Sequence, residues 1–337
     1  MNTEQLLTEL LSVPGICGAE ADAAKTAEKL LSAYMPVRRD ALGSVIGEMQ
    51  GEGDGILLDA HLDRIGLMVT HVTDEGFVKV GKCGGADLRT MACQEVKILG
   101  KRKVYGVVVS VPPHLLKGES TVPDWGDIAV DVGMTGEQAK QCIAPGDRVL
   151  LLGGMRKMLG SRVCGAAIDD RAGMAAILRA LDILKEKNIR KKLTVVFSVQ
   201  EEVTGGGAIG AAFQSDDATA ICVDVSFATQ PGVDDVHGKP MGKGTLVGVS
   251  SALSFCVSDR LQSLAKDAGI PYTVEVMPGK TGTNAEDYGF SKCGRRNGLL
   301  SIPIRNMHTC VEVCDLRDIE STAQLLALYV EKEGETV

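Results

Sequence analysis

With 337 residues, 45% hydrophobic and 24% charged, the chain has the makeup of a well-packed globular protein long enough for two domains. Its formal net charge of −8 argues against nucleic acid or an anionic membrane as partner. Aromatic residues make up only 4% and glycines number 40, so the core must be aliphatic and the turns many.

In chain order, helical spacing covers Thr3 to Leu11 and Glu20 to Ala33, split by Pro14-Gly15. The first stretch carries Glu4 and Glu9 and does not read as a secretion signal. No apolar run approaches the ~18 residues of a membrane span. Ser44 to Met49 and Gly55 to Ala60 read as strands joined by the turn Gly51-Glu52-Gly53-Asp54, and Ile65 to His71 as a third strand. From Phe77 to Met158, short β-rich runs alternate with Gly and Pro turns: Val96–Leu99, Val104–Val111, Ile128–Asp131 and Arg148–Leu152. Only Gly136 to Cys142 is helical there, so the segment predicts a small all-β barrel or sandwich.

Beyond Arg171 the texture alternates. Helices are expected over Ala172–Lys187, Asp259–Ala268 and Leu316–Lys332, and strands over Leu193–Val199, Ala218–Val225, Tyr272–Met277 and Gly298–Ile302. That alternation predicts an α/β doubly wound sheet sandwiched by helices. The expected organisation is one α/β unit from 1–65 and 159–337, with a β-barrel module at 66–158 inserted into it. The ten cysteines form no Cys-x-x-Cys pair and read as free thiols of a reducing cytoplasm. Cys310 and Cys314 have a spacing that also occurs in metal clips, a reading set aside here.

Five metal-capable side chains fall at or near predicted strand ends: His61, Asp169, Glu202, Asp224 and His308. In open α/β sheets, ligands gather outside the carboxyl ends of the strands. Each residue has a plain alternative: a lone His is usually structural, and Asp169-Asp170 alone reads as a helix N-cap. Together, two histidines and three carboxylates suit zinc, cobalt or manganese, and the number fits two ions sharing one carboxylate. Glu201 stands beside Glu202. Where one carboxylate fixes an ion, its neighbour is free to take a proton from water.

Several motifs then identify the chain by resemblance with the glutamyl and deblocking aminopeptidases, dinuclear metallopeptidases that often build tetrahedral (TET) particles. His61-Leu62-Asp63-Arg64-Ile65-Gly66, Asp169-Asp170-Arg171-Ala172-Gly173 and Gln200-Glu201-Glu202-Val203 are similar to family motifs. So are Pro112-Pro113-His114-Leu115-Leu116 and Met307-His308 with Val311-Glu312-Val313 and Asp315-Leu316-Arg317-Asp318. The resemblance implies a zinc-exopeptidase-like sheet and two divalent ions per subunit. It implies that Asp169 is shared between them and that its bond to Asp170 is cis. His61 and Asp224 complete one ion site, Glu202 and His308 the other. Glu201 is the implied general base, and Asp63 the implied acceptor of the second N–H of His61. Short peptides are the implied substrates, and a dimer-based homo-oligomer, up to a tetrahedral dodecamer, the implied assembly. The inserted module is expected to cover the cleft and make subunit contacts, with His114 and Lys117 structural.

Three departures from the family pattern matter. Arg64 replaces a Glu, an inverted charge expected beside the site. Thr204-Gly205-Gly206-Gly207 falls where relatives shape the first side-chain pocket. Thr309-Cys310 replaces Ser-Pro and is expected to bring a thiol near the metals. Three other readings compete with this one. An N-acyl-amino-acid deacylase of the same clan would share the ligands. A non-catalytic metal-stabilised scaffold would have no use for Glu201. Glycoside hydrolysis needs two carboxylates ~5 to 9.5 Å apart across a sugar, which covalent neighbours and few aromatics do not offer.

Overall fold

A computed structural model describes residues 1–115 and 124–333. Eight strands form one mixed sheet. Their spatial order is Val37–Arg39, Val45–Met49, Lys191–Ser198, Glu52–His61, Thr219–Phe227, Arg296–Ile304, Thr245–Ser250 and Tyr272–Met277. The three central strands, Lys191–Ser198, Glu52–His61 and Thr219–Phe227, run parallel, as does Arg296–Ile304 beside them. They are buried on both faces, which explains their near-continuous apolar sequences.

The strand period of two sends alternate residues to opposite cores. Ile56, Leu58 and Ala60 face the larger cluster, packed by helices Thr3–Leu11, Ala21–Leu31, Ile168–Glu186, Phe255–Ala268 and Leu316–Lys332. Leu57, Val196 and Cys222 face the smaller one, covered by Gly206–Gln214 and Ala285–Phe290. The doubly wound arrangement is thus the observed one. The connection between the first two long strands differs from the expected turn. Glu52, Gly53 and Asp54 are already strand, and Lys191–Ser198 lies between Val45–Met49 and Glu52–His61 instead of leaving them as a hairpin.

The inserted segment forms a six-stranded closed barrel of Gly66–Val72, Val78–Cys83, Ala129–Asp131, Lys103–Val108, Glu95–Leu99 and Arg148–Leu151. Its core is aliphatic, with Leu67, Val78, Val96, Ile98, Val130 and Val149 inside. His114 sits exposed in a single turn at Pro113–Leu115; Leu116 and Lys117 lie outside the described residues. None of the described helices is long and apolar enough to cross a membrane.

Arg171 ties the central sheet to the N-terminal helix. It is fully buried, and its guanidinium donates to the carbonyls of Leu62 (3.2 Å), Val13 (3.2 Å) and Leu10. Burial, helped by nearby Arg64, lowers its pKa to about 9. Arg171→Met leaves three buried carbonyls without their donor. We expect it to destabilise the fold by about 3 kcal/mol or more, read as a lowered urea midpoint at constant slope.

Candidate metal centre

The site is assembled where the central strands end. Strand Glu52–His61 delivers His61 at its last position, and Thr219–Phe227 carries Asp224 on a buried face. After Lys191–Ser198 the chain turns sharply through Gln200 (φ 61°) and places Glu201 and Glu202 side by side. Both therefore reach the site from a turn, not from strand alternation. His308 follows Arg296–Ile304 and is itself held at φ 63°. A left-handed backbone costs a non-glycine residue about 1–2 kcal/mol, and such residues cluster at functional sites. Asp169 and Asp170 lie in a non-helical break at the start of Ile168–Glu186, and the bond between them is cis.

All five expected ligands converge. His61 Nε2 lies 3.0 Å from Asp169 Oδ1, and His308 Nε2 lies 3.3 Å from Asp169 Oδ2. One aspartate thus turns an oxygen to each histidine. Glu202 Oε2 is 3.5 Å from His308 Nε2, and Asp224 Oδ1 is 3.8 Å from His61 Nε2. Two groups of donor atoms are compact enough to hold an ion: His61, Asp170 and Asp224, and Asp169, Glu202 and His308. Asp170 is an addition to the sequence reading. One of its oxygens caps the helix by accepting the Gly173 N–H at 3.0 Å, while Oδ2 is buried with no hydrogen-bond partner.

The electrostatics call for cations. Among the described residues, no Lys or Arg pairs within 4.0 Å with Asp169, Asp170, Glu201, Glu202 or Asp224. Burial, reinforced by neighbouring carboxylates, raises Glu202 to about 8 and lifts Asp170 and Asp224 well above the carboxylate range. Asp169 is the exception: its two histidines outweigh burial and hold it low. Packed, desolvated carboxylates either keep protons or take metal in their place. With two imidazoles among them, the donor set fits two divalent ions.

Two further carboxylates hold the ligands' backbone. Asp63 Oδ1 and Oδ2 accept the N–H groups of Glu201 (3.0 Å) and Glu202 (3.2 Å). Its carboxylate is 3.7 Å from His61 Nδ1, and that nitrogen's hydrogen-bonding partner is instead the Asp63 carbonyl at 3.2 Å. Asp63 therefore orients His61 through its backbone and the glutamate turn through its side chain. Glu312 does the same across the site, accepting the N–H groups of Asp169 (3.1 Å) and His308 (3.0 Å). Behind His61, buried Asp59 accepts from Asn284 Nδ2 (2.9 Å) and the Tyr288 hydroxyl (3.2 Å).

The three departures find partners away from the cleft, although the charge of Arg64 stands within electrostatic reach of Glu312 and Glu202, beside the site as expected. Arg64 is buried, donates to the Leu151 carbonyl at 3.2 Å and does not line the cleft. It fastens the sheet to the barrel. None of Thr204 to Gly207 lines the cleft either; Gly207 packs against the Val199 backbone. Cys310 packs against the barrel core and donates to Gln94 Oε1 at 3.0 Å, and burial raises its pKa, so it is a thiol and not an activated thiolate.

A cavity of about 560 Å³ opens over the ligands. Gly85, just beyond the barrel strand Val78–Cys83, lines it. Gly84 and Gly85 press on Glu202 and His308, and Gly85 leaves no space for a side chain beside the imidazole. The model of the M42 glutamyl aminopeptidase family matches residues 43–325, most of the chain. The chain belongs to this M42 family. A lysyl aminopeptidase of Pyrococcus furiosus is 32% identical over 97% of this chain and 96% of its own length. Among solved structures, the aminopeptidase APDkam598 of the archaeon Desulfurococcus kamchatkensis superposes with a TM-score of 0.91, at 30% identity and covering 98% of this chain and 94% of that one. The Pyrococcus horikoshii TET1 peptidase, described as assembling into a tetrahedron or a large octahedral shell, superposes at 0.87 with 28% identity over 98% and 100% of the two chains. Family and ligand geometry together make this M42 member a dinuclear metal-dependent aminopeptidase.

Proposed function

We propose that the protein releases single residues from the free N-termini of short peptides, with Glu201 as general base and Asp169 shared between two ions. The observation that carries this reading is a carboxylate left over. Glu201 lines the cavity and belongs to neither donor group, yet its Oε2 lies 3.8 Å from His61 Nε2. When bound, divalent ions acidify a water and polarise the scissile carbonyl. The remaining work falls to the chain. Glu201 takes the water's proton and returns it to the leaving amine. Burial raises Glu201 to about 7, His61 opposing. Asp63 keeps the Glu201 backbone fixed during both transfers. The ion-site carboxylates left facing the cavity attract the substrate's ammonium, which favours exopeptidase action.

Zinc or cobalt, with manganese a third choice, suits the imidazole–carboxylate set. The barrel, read as an inserted module over 66–158 against a catalytic unit of 1–65 and 159–337, covers the cleft, a role supported by Gly84 and Gly85 at the ligands. The tetrahedral and dodecameric assemblies of the TET1 relative support a homo-oligomer, which we read as built from dimers and reaching up to twelve chains of 35.5 kDa. Ten free cysteines suit a cytoplasmic site of action.

The test is a panel of aminoacyl-anilides and N-acetylated amino acids, offered to stripped protein with zinc, cobalt or manganese restored. Release from free-amine substrates only, dependent on added metal, is the expected result. Cleavage confined to N-acetylated substrates would make it a deacylase. Tight metal binding with no cleavage of either kind would make it a scaffold.

A further inference from the structure

One wall of the cavity over the ligands is the loop that follows strand Tyr272–Met277. Lys280, Thr281, Gly282 and Thr283 line the cavity together with His61, Glu201 and Asp224. The next residue, Asn284, does not line it and is buried, at 3% exposed. Its amide nitrogen donates to two acceptors, Asp59 Oδ2 and Ser198 Oγ, each at 2.9 Å. Tyr288, one turn along helix Ala285–Phe290, donates its hydroxyl to the other oxygen, Asp59 Oδ1, at 3.2 Å.

The two acceptors of Asn284 stand on strands that lead into the site. Asp59 lies two residues before His61, on the same face of strand Glu52–His61. Ser198 closes strand Lys191–Ser198 in register with His61, three residues before Glu201. One side chain therefore fixes the loop against both strands at once. The other hydrogen bonds of the loop are local. Glu286 accepts the N–H groups of Thr281 and Gly282, and the hydroxyls of Ser250 and Ser251 donate to the carbonyls of Gly279 (2.6 Å) and Pro278 (3.0 Å). None of these partners stands on a strand that carries a site residue.

The link is not the cheapest arrangement for the helix. An asparagine at the N-cap ordinarily accepts a backbone N–H of the first turn. Asn284 occupies that position without a cap bond from its side chain, and Thr283 Oγ1 accepts the Ala285 N–H at 3.3 Å instead. Asn284 Oδ1 is left buried with no hydrogen-bond partner, which is unfavourable. A residue serving the helix alone would keep the cap.

We infer that Asn284 is a positioning residue for the substrate: it sets residues 280–283 at a fixed distance from the ions, and its loss weakens substrate binding while sparing metal and proton transfer. This rests on the aminopeptidase reading of the same cavity. Metal is spared because Asn284, Asp59 and Ser198 belong to neither donor group. Proton transfer is spared because Asp63, on the other side, holds the Glu201 backbone.

With the zinc-loaded full chain and the best aminoacyl-anilide, KM in Asn284→Ala is expected to rise about tenfold, the loss of a hydrogen bond to a charged group. Its kcat and its two zinc equivalents are retained. Partial unfolding gives the opposite pattern, a lower apparent kcat at unchanged KM, so the split separates positioning from stability. Asn284→Asp opposes two buried carboxylates and raises KM as well. Adding Asp59→Asn restores the donor–acceptor pair with its direction reversed, and KM returns to within about twofold of the wild type. If Asn284→Ala fails to fold, the exchanged pair decides alone. Unchanged KM in Asn284→Ala, a fall confined to kcat, loss of zinc, or an exchanged pair that restores nothing overturns the inference and leaves the aminopeptidase intact. Hydrogen exchange needs no turnover: the Thr281 and Gly282 amides are expected to lose protection in Asn284→Ala while strand Lys191–Ser198 keeps it. If no anilide is cleaved the aminopeptidase reading fails instead, and unchanged protection of these two amides still overturns the anchoring by Asn284.

Discussion

Glu201→Gln is expected to keep both metal ions and to lose about 10²- to 10⁴-fold in kcat, the usual contribution of a general base. The substitution preserves shape and removes only the ability to accept a proton. Position is not lost with it, because Asp63 holds residue 201 through the backbone N–H at 3.0 Å and not through the side chain. Metal is not lost either, because both donor groups are complete without this residue. Glu202→Gln provides the contrast: its oxygen belongs to the Asp169–His308 group, so that variant loses metal as well as turnover. Metal content by plasma emission alongside kcat separates the two outcomes. Metal-replete Glu201→Gln with near-full turnover would remove Glu201 from the proton path.

That adjacent glutamates have different fates was readable in the sequence, though for an incomplete reason. Strand alternation predicts that neighbours diverge, but the separation arises in the turn after Gln200. Of the five expected ligands, His61, Glu202 and His308 are legible because each ends or follows an apolar strand whose burial is encoded in its own residues, as in Ile56-Leu57-Leu58 before His61, whereas Asp224 lies inside such a strand and Asp169 opens a helix. What stayed hidden depends on distant partners. Asp63 reads as a histidine orienter because it is close in sequence, whereas its carboxylate serves an N–H pair some 140 residues away. Glu312 lies four residues from His308 and shows no separate signal; its function appears only when Asp169 arrives from another element.

The fold shows the same limit. Helix Gly206–Gln214 carries the glycine-rich start Gly-Gly-Ala-Ile-Gly, a poor helix former by propensity. It forms because Ala208, Ala211 and Ala212 seal the smaller core and Gly207 fits against the Val199 backbone. Strand Thr245–Ser250 likewise carries a weak local signal, its β-branched pattern broken by Gly248. That glycine is needed where the chain packs closely on Leu253 and Leu299. Likewise, no local signal places Lys191–Ser198 between two strands that are neighbours in sequence. Long-range contacts decide these elements, and a single sequence does not display them.

Asp169→Ala is expected to lose both ions together. Its two carboxylate oxygens face different histidines, at 3.0 and 3.3 Å, so, if Asp169 is shared as proposed, one substitution removes an anionic oxygen from beside both. The histidines then lose the group that draws them together. His308→Ala should behave differently, because it leaves the shared Asp169 in place beside His61 and Asp224 to hold one ion. Titration with zinc is therefore expected to give two equivalents for the wild type, one for His308→Ala and none at comparable affinity for Asp169→Ala. The same difference appears in stability. An ion at a hundredfold excess over its Kd stabilises the folded chain by about 2.7 kcal/mol per site. Added zinc should raise the melting temperature of the wild type markedly and that of Asp169→Ala hardly at all. If Asp169→Ala still bound one ion at wild-type affinity, the two sites would be independent and the shared aspartate would have to be given up.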